Sequence, residues 1–275
     1  MRFFDTHTHV NFNAFRNDWQ ETIERALKDN IWLVNVGSQS TTSKRAVEIA
    51  ENYEKGVYAA IGLHPSHSEE QEFNEDYYLE LAKNEKVVAI GECGLDYYIE
   101  NSKFKNQNEK FQFKIQNYEN FKELQQEVFL KHIKLADKIK KPLIIHCRDA
   151  HNDLINILTI NRELLIDNRA GIMHFFTGTL EQAQRYIDLG FYISFSGVIT
   201  FTDAYDDIVK NLPLDRILIE TDAPYVTPTS YRGKRNESSY VIEVAKKIAE
   251  IKEISLEEVA EKTAQNARIV FNIKE

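Results

Sequence analysis

At 275 residues, with 43% hydrophobic and 11% aromatic content, the chain is long enough to bury a full core. Its 34 basic residues against 43 acidic ones leave a formal charge of −9, which argues against a protein that coats duplex DNA through a broad basic surface and restricts any nucleic-acid contact to a local one. Asp5 interrupts the first apolar stretch and no run approaches the ~20 apolar residues of a membrane-spanning helix, so the reading is a soluble cytoplasmic protein with no signal segment and no membrane partner.

Short apolar runs, β-branched or aromatic and mostly non-alternating, recur along the chain as parallel strands covered on the outside do. In chain order they are Phe3 to His7, Ile31 to Val36, Tyr58 to Gly62, Val87 to Gly91, Leu143 to His146, Ala170 to His174, Phe191 to Phe195 and Ile217 to Glu220. Amphipathic stretches fall between them: Asp18 to Lys28, Thr41 to Tyr53, Asp76 to Lys83, Phe121 to Lys140, Asn152 to Ile160, Leu180 to Asp188 and Ala204 to Lys210, with Ser238 to Ile251 and Leu256 to Phe271 closing the chain. Eight strand–helix alternations predict an α/β fold, a single (β/α)8 TIM barrel over residues 1–275. Ile99 to Asn120, rich in Asn, Gln, Lys and Phe, breaks the rhythm and reads as a polar insertion after the fourth strand, a surface loop or short helical excursion near the mouth. No internal repeat and no interdomain linker is visible.

The pair His7-Thr8-His9 stands at the end of the first strand, where alternation sends both imidazoles to one side and Thr8 to the other, so that two ring nitrogens can grip one cation. An HxH alone is a weak signal. Further metal-type residues, however, follow later strands at their C-terminal ends, where barrels of this kind place reactive groups: Glu92 after the fourth, His146 after the fifth, His174 after the sixth and Asp222 after the eighth. Four imidazoles and two carboxylates are too many for one tetrahedral ion and suit two divalent cations with Glu92 bridging. Two such carboxylates against two divalent ions leave a formal excess of about +2, which an anionic substrate such as a phosphodiester would meet. Asp222 is the candidate for shuttling a proton, and Glu220, two residues earlier on the same inward face, for orienting a ligand from behind.

His64, in Gly62-Leu63-His64-Pro65, exceeds that ligand count and reads as substrate-facing or as a loop-stabilising hydrogen-bond partner. Arg148 and Arg232 offer guanidinium forks suited to phosphate, and Tyr97, with Tyr98, Phe175, Phe176 and Tyr225, offers rings on which bases stack, packing of the rim being the plainer reading. His67, His132 and His151 follow no strand and read as loop or helix-surface residues. Cys93 and Cys147 each follow a candidate ligand, so alternation turns both thiols away from the site as free buried groups.

With these residues in hand, the chain resembles the TatD-type metal-dependent hydrolases, a deoxyribonuclease family of the amidohydrolase-like barrels, from Asp5 to Asn266. The segments that carry the resemblance are Asp5-Thr6-His7-Thr8-His9, Gly62-Leu63-His64-Pro65, Gly91-Glu92-Cys93-Gly94-Leu95-Asp96-Tyr97, His146-Cys147-Arg148-Asp149-Ala150, Phe176-Thr177-Gly178 and Glu220-Thr221-Asp222-Ala223-Pro224-Tyr225. It implies a first metal held by His7, His9, Glu92 and Asp222, a second held by Glu92, His146 and His174, and hydrolysis of DNA ester bonds, at 3′ ends or in single strands. The cations implied are zinc, manganese or magnesium. Alternatives are a hydrolase of another ester or amide, such as an aminoacylated RNA end, and a non-catalytic binding barrel that keeps its metals for stability; no obligate protein partner is indicated. The sequence departs from the family pattern in the length of the insertion, in Phe175, where a smaller residue is common, and in Ser238, which replaces a frequent proline.

Overall fold

A computed structural model describes residues 2–98 and 111–274, the side chains of 111–117 excepted. Eight strands form one parallel sheet in sequential order: β1 (Phe3–Thr8), β2 (Ile31–Val36), β3 (Val57–Ile61), β4 (Val87–Asp96), β5 (Leu143–Arg148), β6 (Gly171–Met173), β7 (Phe191–Phe195) and β8 (Ile217–Ile219). Around them run α1 (Trp19–Lys28), α2 (Ser40–Ala50), α3 (Glu75–Leu81), α4 (Phe111–Ile139), α5 (His151–Ile160), α6 (Leu180–Asp188), α7 (Asp206–Asn211), α8 (Val241–Lys252) and α9 (Leu256–Phe271). The sheet closes where the chain beyond β8 meets the end of β1: Asp222 N–H donates to the His7 carbonyl at 2.9 Å, His9 N–H to that of Ala223 at 2.8 Å, and Thr8 bridges Ala223 in parallel. This is the TIM barrel that the alternation predicts.

Two apolar clusters divide the core. The larger lies between the strands and the surrounding helices; the smaller takes Phe4, Val34, Ala60, Ala89, Ile144, Ile172, Tyr192 and Leu218, one or more residues from every strand, and is plugged by Ala264, Ala267, Val270 and Phe271 of α9. The larger cluster also draws on every strand but packs them against α1 to α8, whereas the smaller joins the alternate strand residues to one another and to α9 alone, so these residues mark the inward face. Helix ends follow local chemistry: Thr179 Oγ1 accepts from Gln182 N–H while Gln182 Oε1 accepts from Thr179 N–H, a reciprocal cap that starts α6.

Three expectations need correction. The fourth strand runs on to Asp96, so Glu92 lies within it; the chain stays paired with β5 through a shift of register between Ile90 and Cys93. Residues 111–120 form the opening turns of α4, which the pattern starts only at Phe121, while 99–110 lie outside the described residues. His132 is fully buried, not on the helix surface, because it sits on the buried stripe of α4 formed by Phe129, Ile133 and Ala136. Among the described residues no helix is long and apolar enough to cross a membrane.

Candidate metal centre

Strand alternation carries two of the candidate ligands to the mouth directly. Ile144 faces the lumen and so does His146; Ile172 does and so does His174; Leu218 does and so does Glu220, whereas Asp222, at φ +55° past the end of β8, is placed by the loop there. Straight alternation from Phe4 would turn His7 and His9 outward, and from Ala89 would do the same to Glu92. The register shifts between Asp5 and Thr8 in β1 and between Ile90 and Cys93 in β4 bring these three side chains inward.

Five of the six candidate ligands line a cavity of about 790 Å³ above the strands' C-terminal ends, and His7 is fully buried against them. His7 and His9 Nε2 atoms are 3.1 Å apart, each 3.6 Å from Glu92 Oε2, and 3.8 and 3.5 Å from Asp222 Oδ1. The other Glu92 oxygen, Oε1, faces His146 Nδ1 at 3.1 Å, His174 Nε2 at 3.5 Å and His64 Nε2 at 3.4 Å. One carboxylate thus divides its oxygens between two ligand groups, His7–His9–Glu92 and Glu92–His146–His174.

Behind the imidazoles stand groups that set their orientation. His9 Nδ1 lies 2.8 Å from the Val36 carbonyl, which only accepts, so the proton is on Nδ1 and Nε2 offers a lone pair to the cavity. Glu220 Oε1 sits 2.8 Å from His174 Nδ1 and accepts Phe175 N–H at 2.8 Å. Asp96 Oδ2 sits 3.1 Å from His146 Nε2. His7 Nδ1 is buried with no hydrogen-bond partner among the described residues, and its ring stacks on that of His174 at 3.5 Å. Asn236 fixes the loop that carries Asp222 by donating to the carbonyls of Thr221 and Tyr225 at 2.8 and 2.6 Å.

The electrostatics are those of a site built for positive charge. Burial alone would raise the Glu92 carboxyl, but the imidazoles of His64, His146 and His7 hold it well below the usual carboxylate range. Burial pulls His146 and His174 down, yet Asp96 and Glu92 push the first up to about 9 and Glu220, with Glu92, pushes the second up to about 10; His7 is driven to about 3 by burial and by the charge on His174, against the pull of Glu92. A divalent cation can replace the protons that carboxylates hold on such imidazoles, and nitrogen and shared carboxylate oxygen donors, each set within 4.8 Å in a buried pocket, fit that exchange.

His64, Arg148, Phe175 and Tyr225 line the same cavity. Arg148 is exposed and lays its guanidinium 3.5 Å over the Tyr98 ring. Two expected substrate contacts lie elsewhere. Tyr97, one residue past Asp96, is turned outward by alternation, and its hydroxyl pairs with Asp153 at 3.1 Å and Gln126 at 2.8 Å. Arg232 is exposed and stacked on Phe201, while its neighbour Arg235 is committed to Asp18, so the basic run holds loops together beyond the cavity wall. Asp96 is the site residue that the sequence reading missed; its signal was the spacing of four from Glu92, an even number that keeps both on one face of an extended strand. Cys147 turns away to within 3.4 Å of His151 Nδ1, burial raising its thiol to about 12.

Known proteins share this arrangement of chain. The metal-dependent hydrolase YabD of Bacillus subtilis is 43% identical over 274 residues, covering 98% of this chain and 99% of its own. YcfH of Escherichia coli, also named a metal-dependent hydrolase, is 39% identical over 79% of this chain and 74% of its own. The solved structure of YjjV, a TatD homologue from E. coli, matches with a TM-score of 0.85 at 28% identity, covering 99% of both chains. The family model of TatD related DNases matches residues 4–272, and the chain belongs to that family of metal-dependent hydrolases.

Proposed function

We propose that this protein hydrolyses phosphodiester bonds of DNA, at 3′ ends or in single strands, with two divalent cations: one held by His7, His9, Glu92 and Asp222, the other by Glu92, His146 and His174. The observation that carries the reading is the division of the Glu92 oxygens, Oε2 toward His7 and His9 and Oε1 toward His146 and His174. When bound, such cations supply Lewis acidity and make water a competent nucleophile near neutral pH. Asp222 then takes the proton of the attacking water, Asp96 and Glu220 keep His146 and His174 in place, and Arg148 and the His64 ring meet the phosphate oxygens. Phe175 and the exposed Tyr225 offer faces on which bases stack, at about 1–3 kcal/mol each.

One observation favours a second reading. Asp96 and Glu220 bring the carboxylates around the centre to four, a formal −4 that offsets two divalent cations, so the +2 excess expected from the sequence disappears. A neutral ester, amide or lactone therefore competes as substrate, and affinity for phosphate falls to Arg148 and His64. End-labelled single-stranded DNA, an aminoacylated RNA end and a lactone, assayed side by side with the metal-loaded protein, separate the two. Metal-dependent nucleotide release lost in Glu92→Ala supports the nuclease; release that survives Glu92→Ala refutes the bridged centre, and turnover of the lactone alone selects the second reading.

A further inference from the structure

His132 lies in the middle of α4, fully buried, with its ring 4.5 Å from that of Phe73. Its Nδ1 is 2.8 Å from the carbonyl of Val128, one helical turn earlier, and since a carbonyl only accepts, Nδ1 carries the proton and Nε2 is a bare acceptor. Nε2 takes the Leu63 N–H at 3.0 Å, reaching from α4 to the loop that leaves β3. Burial holds His132 down to about 4, which keeps that acceptor free of a proton at neutral pH. Neighbouring bonds pin the same segment: Tyr78 Oη donates to the Gly62 carbonyl at 3.0 Å, and His64 N–H donates to that of Ser38 at 2.8 Å.

The residue so pinned is His64. Its Nδ1 accepts the backbone N–H of Ser66 at 3.1 Å and lies 2.7 Å from the Ser66 hydroxyl, which donates to the same lone pair when the amide fixes Nδ1 as acceptor. An amide N–H only donates, so Nδ1 holds a lone pair, and the neutral ring carries its proton on Nε2, the atom that faces the cavity 3.4 Å from Glu92 Oε1. This is the opposite tautomer to His9, where the Val36 carbonyl leaves Nε2 bare. The distinction matters because His64, Asp96 and His146 place donor atoms within 4.8 Å of one another, a further set with the composition of a cation site and the one that includes His64.

We propose that His132 is a positioning residue that holds the Leu63–His64 segment so that His64 presents an N–H to the cavity, gripping an anionic substrate oxygen and excluding a third cation. What the N–H grips rests on the phosphodiesterase reading; the tautomer and the brace do not.

The test uses the full-length, metal-loaded protein with ¹⁵N-labelled histidines. Long-range ¹H–¹⁵N spectra report the His64 tautomer, amide exchange reports Leu63, and elemental analysis counts cations. The variants are His132→Leu, which fills the space without an acceptor, and His132→Gln, whose Oε1 can replace Nε2. The expected result is a protonated His64 Nε2 in wild type and His132→Gln. His132→Leu should exchange Leu63 faster by at least about 10-fold and lose about 10- to 100-fold in kcat on single-stranded DNA at unchanged metal content, with His132→Gln rescuing both. Should His132→Leu not fold, His132→Asn, too short to reach Leu63, takes its place. A His64 proton on Nδ1, a third cation lost in His64→Gln, or wild-type exchange and turnover in His132→Leu would each overturn the proposal. Absence of phosphodiester cleavage by the wild type removes the substrate reading, and the tautomer and exchange results then still decide the brace.

Discussion

Replacing Asp96 probes the centre where the sequence was least informative. Asp96 Oδ2 stands 3.1 Å behind His146 Nε2 while His146 Nδ1 looks toward Glu92, so the carboxylate is positioned to fix the ring's rotation and to make Nδ1 a stronger donor. The backbone at this position is held independently: Asp96 N–H donates to Gln125 Oε1 at 2.8 Å and Gln125 Nε2 donates to the Asp96 carbonyl at 2.9 Å, so a substituted side chain stays where the original stood. Asp96→Asn keeps an oxygen for the His146 N–H and loses the charge; Asp96→Ala loses both. Carboxylates behind a metal-binding imidazole contribute about 10- to 100-fold in cation affinity, or roughly 1.4–2.8 kcal/mol. We expect Asn near the lower figure and Ala near the upper, confined to the cation held by His146 and His174. Competition with a chelating dye resolves the two binding constants, and elemental analysis after dialysis counts what remains. Equal weakening of both cations, or none in Asp96→Ala, would refute the reasoning, since His7 and His9 lie on the far side of Glu92.

Chelating the metals should lower thermal stability, and restoring a cation at 100 times its dissociation constant should return about 2.7 kcal/mol, read as a rise in Tm of roughly 5–10 °C. His132 makes stability pH-dependent with a defined sign: its pKa is about 4 in the folded protein against an ordinary value of 6.5, so the unfolded chain binds the extra proton between those values. Stability from this group is therefore complete above pH 6.5 and falls as pH drops toward 4, by up to about 3 kcal/mol, and urea melts of His132→Gln should show a correspondingly flatter profile. Gly94 has φ +131°, and a Cβ there would stand 2.1 Å from the His146 carbonyl oxygen; Gly94→Ala should cost at least about 1–3 kcal/mol in urea melts and weaken the cation bound by His146. Phe4→Ala empties the lumen between Trp32, Tyr58 and Phe271 and should cost about 3–5 kcal/mol, measured the same way, with the metal site above it retained.

The alternation of short apolar runs with amphipathic stretches sufficed for the barrel, because covered parallel strands and their helices impose two different periods on one chain. The ends of elements were less legible. The apolar run of the fourth strand ends at Gly91, whereas the strand continues and both Gly91 and Gly94 accommodate the close approach of β5: a Cβ on Gly91 would meet the Ile144 carbonyl oxygen at 2.6 Å. That early end hid Asp96, which otherwise shares a strand with Glu92. The candidate ligands were readable by residue type and position, but the register shifts that turn His7, His9 and Glu92 inward were not, because a bulge depends on pairing with the neighbouring strand. Tyr97 and Arg232 were misplaced for a related reason: proximity in sequence to a ligand does not fix which side of a strand or loop a side chain takes.

What separates the histidines of this mouth is the atom behind each ring. A carbonyl behind His9 frees a lone pair toward the cavity, carboxylates behind His146 and His174 hold rings that face Glu92, and an amide behind His64 sends a proton inward instead. Residue type is the same in all four, so candidate ligand and proposed proton donor are distinguished only by a partner that the fold supplies from another segment or from the next turn. Three of those partners belong to β2, β4 and the chain just past β8, and the fourth to the turn after β3, so the chemistry of the mouth is tied to the same strand order that closes the barrel. A change that moves a strand end without touching a histidine should therefore exchange one role for another, and the ¹⁵N tautomer of each ring reports that exchange before activity does.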